Sequence, residues 1–144
     1  MSSQSLPFQP EPFQATRPLQ VLIVEDVESM RGLLEVVVNG IQGLSVSGLA
    51  ANGWEARIEL SRRRPDFILL DEILPGESEL DLLREFHSLE VPVILITGIQ
   101  QPTHDCPSLA LGRIVKPGWK TLETDRKRFE NEVFLLIKKA HSIG

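Results

Sequence analysis

The sequence is short of cysteine, of basic excess and of long apolar runs, and each shortage removes a class of function. One of the 144 residues is cysteine, Cys106, so neither an intrachain disulfide nor a cysteine-based zinc site can form. Such usage suits a reducing compartment and points to the cytoplasm. No apolar stretch approaches the roughly 20 residues that span a bilayer, so no membrane association is expected. The start of the chain lacks the basic residues and apolar stretch of a secretion signal. The formal net charge is −5. Apart from Arg62-Arg63-Arg64 and Lys138-Lys139, basic residues are scattered, so no basic face exists to contact nucleic-acid phosphates. The phosphate loop GxxxxGK[ST] is also missing, which leaves nucleotide binding without support. His87, His104 and His141 show no ligand spacing and read as surface residues.

What is present is the balance of a soluble globular domain, with 42% hydrophobic and 24% charged residues. The length suits a single core. Residues 1–18 carry Pro7, Pro10, Pro12 and Pro18 among Gln and Ser. Such a segment buries too little surface to offset its ordering entropy and is expected to be a flexible tail. The domain proper is expected over 19–144.

From Gln20 onward, apolar strands alternate with helical patterns. Val21–Val24, Phe67–Leu70 and Val91–Ile96 are continuous apolar runs, as in strands buried on both faces. Leu44–Leu49 alternates like a strand near an edge, and Arg113–Val115 is a short fifth strand. Met30, Leu33, Leu34, Val37 and Val38 have helical spacing, and Asn39-Gly40 closes that helix. Further helices are predicted over 54–63, 80–89 and 121–142. Trp54 and Trp119 read as packing residues, and Arg62–Arg64 as a solvated helix end. The alternation defines an α/β fold with a parallel sheet covered on both faces. Ligands bind such sheets outside the carboxyl ends of the strands. The residues at those ends are Glu25-Asp26, Asp71, Thr97 and Lys116.

Three carboxylates brought together repel one another and call for a cation. An all-oxygen set without His or Cys suits a hard ion, Mg²⁺ above all. Lysine offers a positive charge, and threonine a hydrogen bond, to a phosphate. The set therefore suits a phosphoryl group, with a carboxylate as nucleophile and an aspartyl phosphate as product.

These motifs occur in a fixed order: Val-Glu25-Asp26, Leu-Leu-Asp71-Glu-Ile-Leu-Pro75-Gly, Ile-Thr97-Gly and Val-Lys116-Pro117. In that order they resemble the receiver domains of two-component response regulators, from about Gln20 to the C-terminus. The resemblance implies a flavodoxin-like, doubly wound sheet of order 2-1-3-4-5. It implies that Asp71 is the phosphoacceptor. Asp26, Asp71 and the backbone carbonyl of Ile73 would hold Mg²⁺, with Glu25 acting through water, while Thr97 and Lys116 would contact the phosphoryl group. A histidine kinase or phosphotransfer protein is the implied donor, and a cis Lys116–Pro117 bond is expected. Phe129–Ala140 and Ser29-Met30-Arg31 resemble the receivers of chemotaxis methylesterases. Neither an esterase segment nor a DNA-binding helix-turn-helix follows before Gly144. That implies a stand-alone receiver, not an enzyme in its own right, signalling to an unknown downstream protein by contact. Homodimerisation is left open.

The sequence also departs from the receiver pattern. Glu79 stands where a glycine is usual, so the loop after Asp71 is expected to turn without glycine's freedom. The segment between Thr97 and Lys116 is short and contains Pro102 and Pro107, so the fourth helix is expected to be short or disrupted. Arg113 replaces the usual aromatic switch residue. Ile73 and Ile99 occupy positions that tune phosphoryl lifetime, and apolar side chains there imply slow self-dephosphorylation. Three alternatives remain beside a phosphorylation-switched module. Asp71 taken alone reads more readily as a helix cap than as a phosphoacceptor. Arg113 and the short fourth segment allow a pseudo-receiver that binds partners constitutively. A Mg²⁺-dependent phosphatase on a related sheet fits worst, because Ile73 occupies the place of its second acid.

Overall fold

The computed structural model describes residues 17–98, 105–118 and 122–143. Five strands run parallel: β1 Leu19–Val24, β2 Leu44–Ala50, β3 Phe67–Asp71, β4 Val93–Thr97 and β5 Gly112–Val115. Their order is β2-β1-β3-β4-β5, the flavodoxin-like arrangement expected. Among the described residues four helices connect or follow them: α1 Glu28–Asn39, α2 Gly53–Arg62, α3 Glu79–Ser88 and α4 Leu122–Ile143.

The sheet is buried because its central strands are apolar on both faces. Successive side chains point to opposite sides, so each strand feeds two cores. Val21, Ile23, Leu69, Ile94 and Ile96 pack with Leu34, Val37 and Val38 of α1 and with Phe129, Val133 and Ile137 of α4. Leu22, Val24, Ile68, Leu70 and Leu95 pack on the other face with Ala56 of α2 and Leu82, Leu83 and Phe86 of α3. Local signals set the helix starts. The Asn52 side chain accepts from Glu55 N–H, and the Ser78 side chain from Asp81 N–H, each satisfying a donor that the first turn leaves open.

Several expectations need correction. No peptide bond among the described residues is cis, so Lys116–Pro117 is trans. Its turn is held by backbone and side-chain hydrogen bonds: Lys116 N–H donates to Thr97 O at 2.7 Å, and Arg128 donates to Lys116 O at 3.4 Å. Trp54 does not pack in the core but is 67% exposed. It follows Gly53 at the open N-terminal end of α2, and Ala56 is the side chain α2 buries. β4 starts at Val93 rather than Val91, since Pro92 has no N–H for the ladder. β2 is an edge strand, but its middle residues are all partly exposed rather than alternating. The loop after Asp71 does use glycine freedom: Gly76 has φ +75°, so the turn lies three residues before Glu79, which begins α3.

Among the described residues no helix lies between β4 and β5. A turn closed by Ala110 N–H to Pro107 O, 3.1 Å, sits there, with Cys106, Leu109 and Ala110 packed on the second core. The expected tail, apart from exposed Arg17 and Pro18, lies outside the described residues. So do Ile99, Pro102, His104 and Trp119. No helix among the described residues is long and apolar enough to cross a membrane.

Candidate functional site

The parallel order places the carboxyl ends of β1, β3, β4 and β5 on one rim. Glu25 and Asp26 follow β1, Asp71 and Thr97 end β3 and β4, and Lys116 follows β5. Glu25 is wholly buried, Thr97 is 3% exposed and Asp71 is 6% exposed. One carboxylate oxygen from each of Glu25, Asp26 and Asp71 lies within 4.8 Å of the others. Lys116 Nζ is 2.7 Å from Glu25 Oε1 and 3.3 Å from Asp71 Oδ1. All five side chains singled out in the sequence thus stand on one rim, and the three acids and the lysine form one charged cluster.

Backbone donors fix the acids. Val27 N–H donates to Glu25 Oε2 at 3.1 Å and Ile73 N–H to Asp71 Oδ1 at 3.1 Å. Ile73 itself turns its side chain to solvent, 68% exposed. Arg31 Nη1 donates to the Glu25 carbonyl at 2.9 Å, bracing the loop between β1 and α1. Sequence reasoning misses this brace, since nothing in the spacing shows that an arginine one turn into α1 folds back on the loop. It also misses Glu77, whose carboxylate accepts from Gly53 N–H at 3.1 Å, tying the loop after β3 to the start of α2. A third omission is the partner of Arg113: Glu72, at 2.6 Å.

The charges do not balance. Three carboxylates face one ammonium, and Glu25 Oε1 is buried without an aligned hydrogen-bond donor despite its short ion-pair distance to Lys116. Burial pushes the Asp71 carboxyl up to about 7, against the pull of the Ile73 N–H and Lys116; the neighbouring Glu25 adds to the rise. Burial would lower the Lys116 pKa, but its close pairing with Glu25 and the charges of Asp71 and Glu25 outweigh it, and the net shift is upward. A carboxyl that holds its proton near neutrality inside an acidic cluster marks a place where a cation is wanted. With only oxygen ligands offered, a hard divalent ion fits.

Residues 21–114 match the response regulator receiver domain family, and the chain belongs to that family of two-component signalling proteins. Among curated relatives, the protein-glutamate methylesterase/protein-glutamine glutaminase of Pyrococcus horikoshii is 32% identical over 133 residues, covering 88% of this chain and 36% of that protein. The corresponding Treponema pallidum protein is 40% identical over 86 residues, 58% of this chain and 21% of the relative. This chain therefore spans about a third or less of the relatives' length, and the similarity is to their receiver part. The response regulator domain of Thermotoga maritima CheB shares the fold with a TM-score of 0.68 at 22% identity, covering 85% and 96% of the two chains. A chain from the complex of the P1 domain of CheA3 with CheY6 of R. sphaeroides matches with a TM-score of 0.70 at 22% identity, covering 88% of this chain and 98% of that one.

Proposed function

We propose that Asp71 accepts a phosphoryl group from the phosphohistidine of a histidine kinase or phosphotransfer protein, and that the chain then signals by protein–protein contact. The observation that carries this reading is the convergence of Asp71 with Glu25, Asp26 and Lys116, beside Thr97, on one rim of the sheet. The complex of a kinase P1 domain with a related fold, CheY6, supports a donor of that kind.

In the proposed transfer, a carboxylate oxygen of Asp71 attacks phosphorus, an acyl phosphate forms and the phosphorus–nitrogen bond of the donor breaks. Glu25, Asp26, Asp71 and the Ile73 carbonyl would hold or orient a Mg²⁺ ion, which supplies positive charge against the developing phosphoryl charge. Lys116 adds a fixed ammonium beside Asp71, and the Thr97 hydroxyl lies at the adjoining strand end to receive a phosphoryl oxygen. Most of the rate gain comes from positioning and charge neutralisation. The exposed Ile73 side chain offers no hydrogen bond to an attacking water, which supports slow self-dephosphorylation.

The test is incubation with Mg²⁺ and acetyl phosphate followed by intact mass. A stable gain of one phosphoryl group, lost in Asp71→Asn, is expected. The constitutive partner-binding reading draws support from the Arg113–Glu72 pair at the place of an aromatic switch, and it predicts no gain.

A further inference from the structure

Arg113 stands opposite Leu95 in the β4–β5 register. Because β4 separates β3 from β5, its side chain must span β4 to reach Glu72, the residue directly after Asp71. The guanidinium meets the Glu72 carboxylate at 2.6 Å with 11% and 7% of the two side chains exposed. Arg113 Nη2 also donates to the Asp105 carbonyl at 3.4 Å, and Glu72 N–H donates to Ile96 O at 3.0 Å. A fourth carboxylate thus lies one residue from the acidic cluster, and a different strand delivers the charge that cancels it. Lys116 meets Glu25 and Asp71 directly, whereas Arg113 meets Glu72, so its influence on the cluster runs through that residue.

We propose that Arg113 is a positioning and charge-setting residue of this site: by neutralising Glu72 it keeps a fourth negative charge from acting on the Glu25–Asp26–Asp71 cluster, and so sets how tightly that cluster holds a divalent cation. The inference rests on the reading that the cluster takes Mg²⁺. It gives opposite signs for the two partners. In Arg113→Gln, the uncovered Glu72 charge strengthens the attraction for Mg²⁺, and half-saturation falls by about 3- to 10-fold, the size for one partly screened charge near a divalent ion. In Glu72→Gln, the guanidinium charge is no longer offset by Glu72 and weakens binding by a similar factor. The double variant Glu72→Gln/Arg113→Gln returns to within about twofold of the parent chain, since the charges cancel in both.

The experiment is the thermal midpoint of the full chain as MgCl2 is raised, with titration calorimetry and no phosphodonor present. Opposite shifts in the single variants, restored in the double, support the proposal. Shifts of the same sign, or lower midpoints with unchanged Mg²⁺ half-saturation, reduce the pair to a structural tie and overturn it. Arg113→Lys keeps the charge and is expected to match the parent; a tenfold change there overturns the proposal even should Arg113→Gln fail to fold. A parent chain without any Mg²⁺-dependent rise refutes the cation reading itself. A parent rise that is abolished in Asp26→Asn keeps that reading, and leaves the Arg113 inference to the variants.

Discussion

Asp71→Asn should make the metal-free protein more stable at pH 8, although it removes the reacting group. Asparagine is nearly isosteric with the protonated carboxyl, the form that burial favours. The Asp71 pKa rises from its ordinary value of 3.8 to about 7, so between those values the folded state binds more protons than the unfolded state. Stability due to the protonated carboxyl is therefore full below pH 3.8 and is lost as pH rises through about 7. At roughly 1.4 kcal/mol per unit the whole shift has a ceiling of about 4 kcal/mol. Solvent screening at the open side of the site, and sharing of the same interaction with Lys116, reduce this to about 1–3 kcal/mol. For a domain of this size that is a rise in Tm of about 3–10 °C. The assay is calorimetry or circular dichroism melting from pH 5 to 8.5 in EDTA, with wild type and Asp71→Asn side by side. The gap should open with rising pH and be clearly narrower at pH 5 than at pH 8. Millimolar Mg²⁺ should raise the wild-type midpoint at pH 8 and close the gap, while leaving Asp71→Asn nearly unmoved. Equal or lower stability of Asp71→Asn at pH 8 without metal would refute the electrostatic reasoning.

Other perturbations follow from the same structure. Lys116→Met strips the buried Glu25 of its cation and should cost about 3 kcal/mol in urea unfolding at pH 8, with a smaller loss at pH 5, where the raised Asp71 carboxyl is protonated and no longer needs the ammonium. Phe86→Ala, which empties a fully buried position in the second core, should cost about 3–5 kcal/mol with unchanged phosphorylation of the folded fraction. Gly112→Ala places a methyl group 2.7 Å from the Leu136 side chain; forcing α4 or that leucine to shift should cost about 1–3 kcal/mol, read as a lower denaturant midpoint. Phosphorylated protein freed of donor should keep its phosphoryl group for minutes or longer by intact mass, and loss within seconds would refute the role given to Ile73.

Much of this site is legible in the amino-acid sequence. Val21–Val24, Phe67–Leu70 and Val91–Ile96 read as buried strands because strands covered on both faces have no polar side, and the acids and threonine follow these runs directly. Strand ends are thus set by where the apolar runs stop. Boundaries are less legible where a single backbone property decides them: Pro92 delays β4, and Gly76 rather than position 79 makes the turn after Asp71. Trp54 misleads because a large aromatic side chain in an amphipathic pattern carries no sign of which way the helix end faces. The Lys116–Pro117 bond is trans against expectation, and the hydrogen bonds around its turn involve Thr97 and Arg128, residues distant in sequence whose approach no local pattern shows.

The α/β alternation, the two-faced strands and the residues at their ends follow from hydrophobic period and run length, which are local. The tertiary structure alone decided the electrostatics. That Asp71 loses its solvent and holds a proton to about 7, that Lys116 reaches both Glu25 and Asp71, and that Arg113 spans a strand to cancel Glu72 all depend on burial and on distances between residues far apart in the chain. Coulomb energy and desolvation vary with those distances and not with sequence spacing, so the acids could be named from the sequence, but their charge state could not.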